Sequence, residues 1–112
     1  MYENNPETIK GGYTDNLGIQ SIYALFMKQY TESEQYAREG LSVDPTKHWL
    51  ASNLAAALLF QGKYVEAEKI YQQYKSELKD GFLDDFQQYA EAGVIPKERE
   101  ADVERIKKLL NE

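Results

Sequence analysis

This sequence predicts an all-α fold of paired helices, on three observations. From Asp15 to Leu110 the apolar residues recur at helical spacing, turn-forming residues cut that stretch at short intervals, and one turn-helix segment comes back 34 residues later. No run alternates with the two-residue period of a half-buried strand.

The first helix is expected from about Asp15 to Met27. It carries Leu17, Ile19, Ile22, Tyr23, Leu25 and Phe26, apolar on more than one side as a sandwiched helix should be. A second starts at Thr31, where Thr31-Glu32-Ser33-Glu34 fits a capping box: the Thr hydroxyl takes the N3 amide and Glu34 reaches back. It ends near Val43, because Pro45 disfavours the α conformation at Asp44. The third runs from about Thr46 or Lys47 to Gln61 and closes on Gly62, a residue able to take the left-handed conformation. The fourth spans about Val65 to Leu78, with Ala67, Ile70, Tyr71, Tyr74 and Leu78 on one stripe, and Asp80-Gly81 is expected to break it. The fifth covers about Phe82 to Ala92 and ends on Gly93-Val94 as a Schellman turn. Pro96 then suits the first turn of a sixth helix reaching about Leu110.

Six short helices fit either a bundle or a stack of repeats, and the period separates them. Tyr30 superposes on Tyr64, Glu32 on Glu66, Ser33 on Ala67, Tyr36 on Ile70 and Ala37 on Tyr71, all 34 positions apart. Ala55 and Ala67 are read as points where helices approach closely, since helix axes come within about 8 to 10 Å where side chains are small. Tyr23, Tyr36, Tyr64, Tyr71 and Tyr74 are read as core.

With 112 residues the chain has the size of one domain. The domain is placed at 14–112, as units 14–47, 48–81 and 82–112 after a polar tail over 1–13. Thirteen basic residues against nineteen acidic leave a net charge of −6, which argues against nucleic acid or an anionic membrane as partner. The tail MYENNPETIKGGYT lacks the apolar run of a signal peptide, and the longest such run, Leu54 to Phe60, is far too short to insert in a membrane. A soluble, cytoplasmic protein is therefore expected, unless a signal or a flanking domain has been removed. The absence of cysteine leaves no thiolate nucleophile and no Cys-based zinc site.

Candidate chemistry is sparse. His48 is the only histidine and has no HExxH motif, second His or Cys to share a metal with, so it is read as a solvated side chain. Asp84 and Asp85 point about 100° apart on a helix and are read as first-turn acids complementing its dipole. Lys10-Gly11-Gly12-Tyr13 is a lone glycine pair, not a phosphate loop. The sequence predicts no catalytic residue, no metal ligand and no cofactor.

The second unit, with Leu54, Ala55, Leu58, Gly62, Tyr64, Ala67 and Tyr71 in register, resembles the tetratricopeptide repeat family. The first unit supplies Leu17, Ser21, Tyr30, Ser33, Leu41 and Asp44-Pro45, but has Gln20 at the usual Leu slot and Lys28 at the usual turn glycine. The third keeps only the outline: Lys79 stands where proline would close the second unit, and Val103, Ile106 and Leu110 lie on one face of a last, capping helix. The resemblance implies a right-handed α-solenoid of about three helix-turn-helix pairs. It also implies a concave groove that binds a peptide or helix of another protein. The register would turn Ile19, Ile22, Phe26, Trp49, Asn53, Phe60 and Phe86 into that groove. Of the residues with which the family clamps a peptide carboxylate only Asn53 is matched; Gly18, Ile22, Leu83 and Gln87 hold the other slots. What replaces the clamp is apolar. Either an apolar or amphipathic segment of an unknown protein or peptide partner lies there, or these residues pack on one another; self-association into a homo-oligomer, with no peptide ligand, is the alternative.

Overall fold

The computed structural model describes residues 6–112, with side chains from Gly11 onward, and places them in five α-helices with no strand among the described residues. They are α1 (Pro6–Phe26), α2 (Tyr30–Val43), α3 (Trp49–Phe60), α4 (Tyr64–Ala92) and α5 (Glu100–Leu110), the last entered through a 3₁₀ turn at Lys97–Arg99. Each packs on its neighbours in sequence, and α1 also reaches α3. The tail expected over 1–13 is helical from Pro6, which suits a first helical turn; Met1–Asn5 lie outside the described residues. Tyr13 donates a hydrogen bond to Glu39 of α2, so the extension is docked rather than free.

The turns explain the 34-residue period. Lys28 has φ of 63°, and Gly62, 34 positions on, has φ of 86°. After α1, the amides of Lys28 and Gln29 donate to the carbonyls of Leu25 and Ala24; after α3, those of Gly62 and Lys63 donate to Leu59 and Leu58. Both are Schellman turns of one geometry, and Lys28 fills the glycine slot at the cost of a left-handed backbone. Gly62 is needed twice over, since a Cβ there would also stand 2.5 Å from the Arg99 guanidinium. Gly93 ends α4 in the same conformation, its amide and that of Val94 donating to Ala90 and Tyr89.

The small-residue contacts repeat as well. Ser21 and Ser33 are fully buried between α1 and α2, each hydroxyl donating to the other's backbone carbonyl at 2.9 and 2.7 Å. The same slots one period on hold Ala55 and Ala67, both fully buried in the core. After α2, the Asp44 carboxylate accepts the Thr46 amide at 3.1 Å and hydroxyl at 2.6 Å, fixing the turn that Pro45 opens.

Two local readings are corrected. The capping box does not form: α2 begins at Tyr30 and the Thr31 hydroxyl donates instead to the Gln61 side chain at 3.3 Å. Glu34 is drawn away by stronger partners, the Arg38 guanidinium at 2.7 Å, Gln61 at 2.8 Å and Lys63 at 3.1 Å. Burial alone would raise its pKa, yet these hydrogen bonds outweigh it and hold the carboxyl at about 2. The second correction is the break at Asp80-Gly81: helical backbone continues through it, and Gly81 does not take positive φ. The fourth and fifth helices are thus one element, but not a straight one. On a straight helix Tyr71 and Phe86 would stand about 22 Å apart along the axis. Their ring centroids lie 5.6 Å apart, and those of Tyr71 and Phe82 4.8 Å. So α4 turns back on itself between Tyr71 and Phe82.

Candidate functional site

The side chains expected in a groove come from α1, α3 and the second arm of α4, and the fold divides them. Phe60 and Phe86 are buried in a cluster of rings that also takes in Tyr30, Tyr71, Phe82 and Tyr89. Phe60 meets Tyr30 and Tyr89 edge-on at 5.5 and 5.6 Å, and half-buried Phe26 reaches Tyr89 at 5.5 Å. The Tyr30 hydroxyl donates to the Val94 carbonyl at 2.5 Å. These contacts draw the end of α1 onto the end of α4. Asn53, the single match to the family's clamp, is buried and its amide donates to the Gly18 carbonyl of α1 at 3.4 Å. It serves the α1–α3 contact.

Other side chains expected there stay exposed. Ile19 is 49% exposed and Trp49 38%, with half-buried Ile22 beside them on α1. The Trp49 ring lies over Gly18, so closely that a Cβ at Gly18 would run into it. The absence of a side chain at position 18 is what lets the Trp49 ring come this close to α1. Around it the rim is charged: Lys47 pairs with Asp15 at 3.4 Å, and His48 Nδ1 lies 2.9 Å from Glu77 with its ring 5.3 Å from that of Tyr74. His48 is thus a solvated surface side chain, within hydrogen-bond distance of a carboxylate.

Asp85 departs from expectation. It sits within the second arm of α4 and not in a first turn, and it is half-buried while Asp84 is exposed. Burial first, then the neighbouring Asp84 charge, push its carboxyl up to about 6. Buried Tyr89 is raised in turn, by its own burial and by the charge of Asp85. No group of three or more His, Cys, Asp or Glu that could hold a metal ion occurs among the described residues, and no helix among them is long and apolar enough to cross a membrane.

The sequence reading missed Tyr89, although Phe82, Phe86 and Tyr89 stand at i, i+4 and i+7, the spacing of one buried stripe. It also read Tyr23 as core, and Tyr23 is 68% exposed. Tyr71 is buried as expected, whereas Tyr36, Tyr64 and Tyr74 are half-buried, the Arg105 guanidinium lying 4.3 Å above the Tyr64 ring. No protein-family model matches the chain, and no curated protein or solved structure shows a significant match to it.

Proposed function

We propose that the chain is a non-catalytic interaction module of the tetratricopeptide type, which takes an apolar segment of another protein against Ile19, Ile22 and Trp49. The observation that carries this reading is the exposure of Trp49 and Ile19, 38% and 49%, while Phe60 and Phe86, expected beside them, are buried. Two turns of one geometry and two pairs of small residues, each 34 positions apart, support the repeat. Apolar burial supplies the binding energy, and the charged rim at Asp15, Lys47, His48 and Glu77 sets which sequences fit.

Trp49 is the only tryptophan, so its fluorescence reports on this surface directly. A displayed peptide library selected on the chain should yield apolar sequences that shift Trp49 emission. Trp49→Ala and Ile19→Ser should abolish capture while leaving the helical circular dichroism signal in place. Selected peptides that bind Trp49→Ala as well as the parent chain would place the contact elsewhere and sink the reading, as would a library that yields none.

A further inference from the structure

Between the turns that follow α1, α3 and α4 the chain leaves a cleft of about 380 Å³. Phe60, Val94 and Ile95 line it with apolar surface, and Lys28 and Glu98 add one charge of each sign. Tyr30 stands in the same wall, its hydroxyl donating to the Val94 carbonyl at 2.5 Å. The Lys28 and Glu98 side chains are exposed, and neither forms an ion pair or a hydrogen bond, with the other or with any group among the described residues. The Glu98 charge still reaches Tyr30: burial first, then this carboxylate, raise the pKa of its hydroxyl. Lys28 is also the only non-glycine residue described with positive φ, at 63°. Glycine makes the same turn after α3 without that strain, and backbone strain of this kind clusters at sites that hold a ligand.

We propose that this cleft binds a free amino acid with an apolar side chain, the ligand's carboxylate meeting the Lys28 ammonium and its ammonium the Glu98 carboxylate. Charge selects the zwitterion. A phosphate or other anion is repelled by Glu98 and by a chain of net charge −6, and a cation is repelled by Lys28. An internal stretch of peptide carries neither terminal charge, and a protein terminus carries only one. The ligand's side chain lies against Phe60, Val94 and Ile95. Size agrees: clefts that take small molecules begin at about 300 Å³, so this one suits a single amino acid and not a folded segment. Both charges are exposed and exposed ion pairs are weak, so the affinity should be modest, with a Kd of about 0.1–1 mM. Trp49 does not line the cleft, so the site stands apart from the peptide surface.

Titration of the full chain with L-leucine and with L-phenylalanine, followed by amide chemical shifts, tests the proposal. At least one of the two should move the amide resonances of Lys28, Val94 and Ile95. Its N-acetyl form, which lacks the ammonium, and its amide, which lacks the carboxylate, should each bind at least tenfold more weakly. Lys28→Gly and Glu98→Gln should each weaken the free amino acid at least tenfold. Lys28→Gly should do so while raising the melting temperature, because glycine suits the left-handed turn, and that separates loss of the site from loss of the fold. No shift with either amino acid up to about 10 mM, ten times the weakest Kd expected, would overturn the proposal. So would shifts confined to other residues, derivatives that bind as well as their parent, or binding indifferent to both substitutions.

Discussion

At the scale of single residues, Asp85 is the side chain whose environment and charge are most at odds. Its carboxyl, ordinarily near 3.8, is raised to about 6, so the folded state holds the proton more tightly than the unfolded chain. Folding is therefore favoured while Asp85 is protonated; stability is lost as pH rises from about 3.8 to about 6, and the cost persists above that range. Asp85→Asn should stabilise the protein at pH 7 by about 1–2 kcal/mol, a figure reduced for partial solvent access, and by nothing at pH 3. Urea melts at both values measure it; an equal gain at pH 3 would show that the charge is not the cause. The sequence could not disclose this, because the solvent access of Asp85 depends on how α4 bends. Tyr23 was illegible for a related reason: helical spacing identifies apolar stripes but not which stripe another helix covers. The turn at Lys28 was half legible: its place 34 residues before Gly62 marked the turn slot, but lysine there read as a departure, and its left-handed backbone shows only in the structure.

At the scale of elements, the helix limits near Val43, Phe60 and Ala92 were readable from Asp44-Pro45, Gly62 and Gly93 because each has a local cause in backbone conformation. Asp80-Gly81 was misread for the opposite reason. Glycine permits a break but does not compel one, and the bend of α4 is held by Tyr71 against Phe82 and Phe86, contacts between residues eleven and fifteen positions apart. If packing rather than Gly81 holds the bend, Gly81→Ala should be tolerated. A Cβ there meets nothing within 4 Å, and the residue lies in helical backbone without positive φ. Thermal melts should show a gain of about 0.5–1 kcal/mol, the helix preference of alanine over glycine. A loss of stability would return the glycine to the role of hinge.

At the scale of the whole molecule, the enclosed ring cluster ties all the helices except α5 into one unit, so unfolding should be a single transition. Far-ultraviolet circular dichroism and Trp49 fluorescence should trace superimposable denaturation curves, and Tyr30→Phe should shift both together by about 1 kcal/mol. Curves that separate would mean that the arms of α4 and α5 unfold apart from α1 to α3. The all-helical fold and the buried stripe of α5, Val103, Ile106 and Leu110, were legible because periodicity encodes them. The packing of the end of α1 on the end of α4 was not, since it depends on Phe26 and Tyr89 meeting across 63 residues of chain.

The hydrogen bond from Tyr30 to Val94 joins residues 64 positions apart in a molecule whose helices otherwise pack mainly on their neighbours in sequence. Contacts between neighbours form fast, while joining distant positions carries a loop-closure entropy that only late packing repays. Folding of this chain should therefore end, not begin, with that bond. Any species caught just before it would present Phe60 and Tyr89 to water, and this is the interval in which a newly made chain is most exposed to aggregation.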